Sequence, residues 1–186
     1  MDIKKLENTD IISLEAGFYE SYYGKIIEND DGQRILLSCG IAGDELWVTT
    51  AEISDDIYNE VTRILSDKDD IDEEEYFDVT GDGVEIGSWN GFEDVAQATA
   101  ENKDIALLLD AVYEYEHSGI NRGIVGVVTN NVKDELEYYT DGTKIPADIF
   151  DRINSSPSLS EKIKCYYEIN NAHKEKTKDN IERDGI

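Results

Sequence analysis

Arg34-Ile35-Leu36-Leu37-Ser38-Cys39 and Leu46-Trp47-Val48-Thr49-Thr50-Ala51-Glu52-Ile53, parted by Ala42-Gly43-Asp44, decide the fold class. The first is an apolar run and the second is rich in β-branched and aromatic residues; both read as strands, and the glycine between them marks a tight turn. Working outward, Ile11–Leu14 and Tyr19–Ile27 have the same character. Asn29-Asp30-Asp31-Gly32 supplies another turn, with Gly32 expected at positive φ. Trp47, Val48, Tyr19, Tyr22 and Tyr23 read as core and sheet-face residues. A base-stacking platform would also need basic neighbours, whereas the neighbours here are Glu15, Glu20, Glu28, Asp30 and Asp31. The first part of the chain is therefore an antiparallel sheet.

Helices follow. Ser54 caps one, with Asp55 and Asp56 in its first turn and Ile57, Val61, Ile64 and Leu65 on its buried stripe. Tyr76–Val79 and Val84–Ile86 flank Gly81-Asp82-Gly83 and read as a tight hairpin. Asn90 with Glu93 resembles a capping box for a short helix burying Phe92, Val95 and Ala96. Asn102 opens a longer helix with Ile105, Leu108, Leu109 and Val112 inward, stopped by Gly119. Ile124–Val128 reads as a short buried strand. Asn130 or Asn131 then caps a helix through Val132, Leu136 and Tyr139. Asp141-Gly142 turns the chain, and Pro146 starts a helix burying Ile149, Phe150 and Ile153. Ser155-Ser156-Pro157 is the clearest linker. Ser158 and Glu161 box the start of a last helix packing Leu159, Ile163, Tyr166 and Tyr167, and Lys174–Ile186 is expected to fray. The class is α+β: an N-terminal antiparallel sheet with packed helices, then a C-terminal helix and frayed tail. Residues 1–157 read as one acidic domain and 158–186 as the helix with its flexible neutral tail.

Charge carries the functional reading. The 186 residues include 43 acids against 17 lysines and arginines, a formal charge of −26, where a magnitude of about 2–8 keeps a small domain soluble. Such an excess suits a negative face for a basic partner, cation binding or life in high salt. Residues 161–186 hold six acids and six bases, leaving 37 acids and 11 bases in 1–160. The lysine-rich tail argues against salt adaptation, which would acidify every exposed face. The acids are densest from Asp67 to Glu75, where Asp67, Asp69, Asp70, Asp72, Glu73, Glu74 and Glu75 face only Lys68. Such a run repels itself and is expected to be solvated. These seven carboxylates are the candidate partner-binding residues.

Catalytic and metal signatures are missing. Asp78, Thr80, Asp82 and Gly83 fit the start of an EF-hand loop, but Trp89 stands where the bidentate glutamate must be, and strands are expected on both flanks. Glu114-x-x-His117 is half of a di-iron motif that needs a second such pair; the only other histidine, His173, follows Asn170-Asn171-Ala172. Cys39 and Cys165 form neither a disulfide framework nor a metal spacing. No glycine-rich phosphate loop follows a strand. Carboxylate pairs abound, so count alone leaves a glycosidase-like dyad open, with no way to choose one. The sequence thus argues against an enzyme, a cofactor or a bound metal. No apolar run reaches the roughly 20 residues of a membrane span, and no apolar segment of the kind found in a signal peptide follows Lys4-Lys5. A cytoplasmic protein, bound neither to membrane nor directly to nucleic acid, is expected.

In size, charge, the Asp67–Glu75 run and the missing catalytic inventory, residues 1–160 resemble the small acidic inhibitors that phages and mobile elements use against host defence, the anti-restriction and anti-CRISPR proteins. The resemblance has no diagnostic motif and carries no residue roles. It implies a nucleic-acid mimic that blocks the basic channel of a defence nuclease, for which a Cas9–guide RNA complex is a natural target. The alternative is an immunity or antitoxin protein that neutralises a basic toxin nuclease. A third possibility is a scaffold or cation buffer with no specific partner. The oligomeric state stays open.

Overall fold

Five strands pair antiparallel in sequence order: β1 (Ile12–Leu14), β2 (Glu20–Glu28), β3 (Arg34–Ala42), β4 (Glu45–Ile53) and β5 (Val84–Asn90). The computed structural model describes residues 11–14, 20–43, 45–67, 71–118, 123–139, 147–156 and 158–184. The chain divides into two compact units, Met1–Gly91 and Phe92–Ile186, so an α+β fold with a C-terminal helix is what forms. The boundary expected at 157/158 falls inside the second unit.

The four strands expected between residues 11 and 53 form, with the turns between β2, β3 and β4 where the sequence places them. Gly32 takes φ 76°, and Asn29 Oδ1 accepts the amides of Asp31 and Gln33 to close the β2–β3 turn. Gly43, between β3 and β4, takes φ 63°. Helix α1 (Asp55–Ser66) starts on Ser54, whose side chain accepts the Ile57 amide. It buries Tyr58, Val61, Thr62 and Ile64, while Ile57 and Leu65 pack partly buried against the same core. That core joins Ile12, Leu14, Tyr22, Ile26, Leu36 and Ile53 of the sheet to Tyr58, Val61, Ile64 and Tyr76.

The expected hairpin at Gly81-Asp82-Gly83 is half wrong. Glu73–Gly81 is a helix, α2, and only Val84 onward is strand. Asp72 caps α2 by accepting the Glu75 amide at 3.2 Å, and three glutamates follow at the positive end of the dipole. These local signals outweigh the β propensity of Tyr76, Phe77 and Val79. Gly83 serves a close approach instead of a hairpin: a Cβ there would lie 3.3 Å from Ala51 Cβ, the Glu52 carbonyl and Ile53 Cγ2. The flanks of the rejected calcium loop are thus a helix and a strand, and Thr80 Oγ1 donates to the Tyr76 carbonyl.

The second unit is helical: α3 (Phe92–Glu101), α4 (Lys103–Ser118), α5 (Gly123–Tyr139), α6 (Ala147–Ser155) and α7 (Leu159–Asp184). Asn90 ends β5, so it does not cap α3, which follows Gly91 at φ 87°. Asn102 does cap α4, its Oδ1 accepting the Asp104 amide, and Ile105, Leu108, Leu109 and Val112 are fully buried. Ile124–Val128, expected as a strand, is the first part of α5. Ile124, Val128 and Val132 recur every fourth residue and are all buried, a spacing that a short apolar run shares with a buried strand. Asn130 and Asn131 therefore lie within a helix and cap nothing. Ser158 caps α7 through the Glu161 amide, and Leu159, Ile163 and Tyr166 are buried. The helix runs on to Asp184 across the stretch expected to fray. It packs on α3, α4, α5 and α6, so it is part of the second unit's core. Tyr19, Gly119, Asp141-Gly142, Pro146 and Pro157 lie outside the described residues, as do the side chains of Leu136, Tyr139, Ile149 and Phe150.

Candidate functional site: an acidic helix start and an aromatic cleft

The Asp67–Glu75 run is mostly helix boundary. Asp67 ends α1, its amide donating to the Ile64 carbonyl. Asp72 is the α2 cap, and Glu73, Glu74 and Glu75 form its first turn. Asp69 and Asp70 lie outside the described residues. Glu75 pairs with Arg63, which also bonds Glu60 at 2.8 Å. The Arg63 hydrogen bond holds the Glu60 carboxyl below the usual carboxylate range, and bonds to Glu60 and Glu75 push the guanidinium up. Of the described members, Asp72 and Glu75 therefore have folding duties. Glu74 is exposed, and Asp78 and Asp82 follow it at intervals of four. On a helix such neighbours stand about 5–6 Å apart, so the three make one acidic stripe.

Little positive charge opposes this surface. The described cations of the first unit are Lys25, Arg34 and Arg63. Lys25 is buried. Arg34 pairs with Asp55 and lies over the Tyr58 ring at 4.1 Å. By sequence the first unit carries 24 acids and 6 bases, a net −18, against 19 and 11, a net −8, in the second.

Beside α2 lies a cleft of about 380 Å³, with Tyr22, Trp47 and Phe77 among its walls. Register explains it. Tyr22, Gly40 and Trp47 are directly paired across β2, β3 and β4, and a Cβ at Gly40 would collide with the indole. The missing side chain lets Trp47 lie over β3 toward Tyr22, with ring centroids 5.2 Å apart. Phe77 comes down from α2 edge-on to Tyr22 at 4.8 Å. The polar lining includes Ser38, which accepts the Tyr22 hydroxyl at 2.9 Å, and Thr49 across from it. Burial pushes the Tyr22 phenol up, with the Ser38 bond opposing.

One carboxylate, Glu85, joins the wall, and among the described residues no cation does. A β-bulge puts it there. Thr50 pairs with Gly87 and Ala51 with Glu85, so Ile86 drops out of register. Regular alternation would have given Ile86 the place beside Ala51, a residue that lines the cleft. Sequence reasoning had Tyr22 and Trp47 as core and Phe77 in a strand, so it missed this site.

Elsewhere, His117 is exposed, with Nδ1 2.9 Å from the Tyr113 carbonyl. Cys39 and Cys165 are both buried and unbridged, and burial pushes the Cys165 thiol up. Among the described residues no helix is long and apolar enough to cross a membrane.

The chain matches no family model, and no curated protein or solved structure is significantly similar to it. The functional reading therefore rests on the geometry above.

Proposed function

We propose that this protein is an inhibitor whose acidic first unit occupies the basic nucleic-acid channel of a host-defence nuclease, with a guide-RNA effector such as Cas9 as the first target to test. One observation carries the reading. The described cations of the first unit are buried or engaged internally, so among the described residues the exposed carboxylates of Asp67 and of the Glu74–Asp78–Asp82 stripe face solvent without a cation paired to them. Nuclease channels collect lysine and arginine to hold a phosphate track. A rigid row of carboxylates meets that demand by electrostatic steering and complementarity, with no reaction centre of its own.

The test is a pull-down and cleavage assay with purified Cas9–guide RNA complex. Binding should weaken about tenfold or more as salt rises from low to physiological. Reversing Asp69, Asp70, Glu73 and Glu74 to lysine should weaken inhibition comparably, because Asp72 and Glu75 are left to cap and pair α2. Unchanged potency in that variant would remove the run from the contact surface. Capture of a basic toxin nuclease in place of the effector would move the protein to the immunity class.

A further inference from the structure

We infer that the cleft between α2 and the sheet is an anchor pocket for an arginine side chain presented by the basic partner; the inference rests on the inhibitor reading and names the contact that would make docking specific. Three observations lead to it. The cleft has aromatic walls, Tyr22, Trp47 and Phe77, on rigid elements. Among the described residues its only charged wall is Glu85, which a β-bulge sets beside Ala51 in place of Ile86. The surrounding unit carries a net −18.

Each observation narrows the occupant. A cleft without a cation, walled by a carboxylate inside a negative field, rejects phosphates and carboxylates. The faces of aromatic rings carry negative potential and attract cations, most strongly those that shed water easily. Guanidinium is more weakly hydrated than ammonium, is planar, and stacks on rings while forking to a carboxylate. The apolar stem of arginine covers ring surface while its head reaches the acid. At about 380 Å³ the cleft is at the small end of ligand pockets, which run roughly 300–1,000 Å³, a size for one anchoring side chain and its flanking backbone. Interfaces concentrate their energy in such anchors, while surrounding charges set rate and register. The acidic turns would steer the partner, and the cleft would hold it.

The probes are acetyl-Gly-Arg-Gly-amide, the matched citrulline peptide, which keeps the shape without the charge, and tetramethylammonium chloride. Each is titrated into the full-length chain while amide and indole NMR resonances are followed. The arginine peptide should shift the Trp47 indole N–H and the amides of Thr49 and Phe77 saturably. Citrulline should bind roughly tenfold more weakly, as should the arginine peptide to the Glu85→Gln chain. Trp47→Leu should abolish the response, and Glu85→Gln, which alters only a wall residue, guards against a Trp47 variant that fails to fold. Equal binding of citrulline, or shifts spread over the acidic turns and absent from the cleft, would overturn the proposal. Tetramethylammonium binding as tightly as the arginine peptide would also overturn it, by making the cleft a site for a free small cation. The two readings fail separately. Nuclease binding that survives in Glu85→Gln removes the anchor and keeps the inhibitor, whereas arginine binding without nuclease inhibition does the reverse.

Discussion

In the helical unit, α4 uses its carboxylates on its neighbours. Asp110 accepts both the amide and the hydroxyl of Ser160 at the start of α7, at 2.9 and 2.8 Å. Glu116, almost fully buried, accepts the amides of Ile124 and Val125 at the start of α5, both at 2.9 Å. Glu93 pairs with Lys174, and Glu168 with Arg152. In the sheet unit the exposed acids of the α2 stripe, Glu74, Asp78 and Asp82, accept no backbone amide among the described residues and form none of the described ion pairs. Residues that look identical in a composition table are thus mortar where α4 meets its neighbours and bare surface along the α2 stripe. High acidity alone does not identify a binding face; acid left over after the helix starts and ion pairs are satisfied is a better sign of one.

The sharpest way to break this contrast is at Glu116. Replacing it with alanine leaves two helix-start amides without their acceptor and removes two charge-assisted hydrogen bonds from the interior. The expected cost is about 2–3 kcal/mol, measured as a lowered urea midpoint, with the amides of α5 losing hydrogen-exchange protection first. A change below about 0.5 kcal/mol would mean that α5 holds its start without the carboxylate, and the mortar role of α4 would go.

The sheet was legible because its cues are local. Turn residues and β-rich runs located four strands, and Gly32 took the backbone angle that a turn requires. Helix α2 was misread although its own start signal, Asp72 with Glu75 three residues on, was in view; Tyr76-Phe77 and Gly81-Asp82-Gly83 imitate a hairpin. Helix α5 was not legible from its own residues, because Glu116, the group that caps it, comes from the preceding helix. The far end of α7 has no apolar period, yet its lysines and glutamates are good helix formers spaced three and four apart. The cleft needed two facts that no local pattern contains: the cross-strand alignment of Gly40 with Trp47, and the slip that exchanges Ile86 for Glu85.

A middle-sized effect belongs to Tyr76, buried in the first core with no hydrogen-bond partner for its hydroxyl among the described residues. Burial, with Tyr22 beside it, pushes this phenol well up. A phenol whose folded pKa exceeds the unfolded value of about 10 favours the folded state below that pH. The contribution is lost as pH rises through the folded value. The first unit should therefore weaken above about pH 10, followed by phenolate absorbance together with the protection of β2 and α2 amides. Tyr76→Phe removes an unsatisfied polar group and should raise stability near neutrality by about 1 kcal/mol, while blunting the alkaline loss. A destabilised Tyr76→Phe protein would mean that the hydroxyl has a partner that matters.

The smallest effect tests the other side of the contrast. Glu74 and Asp78 are like charges at i and i+4, a pairing that costs a helix about 0.2–0.5 kcal/mol. Asp78 also sits toward the negative end of α2, where a carboxylate is unfavourable, whereas Glu74 sits at the favourable end. Changing both to their amides, Glu74→Gln with Asp78→Asn, should therefore leave stability within about 0.5 kcal/mol, with a slight gain at low salt. That gain should fade as added salt shortens the screening length. A loss near that expected for Glu116 would show these side chains holding the fold together, and the surplus charge on which the proposed docking depends would shrink accordingly.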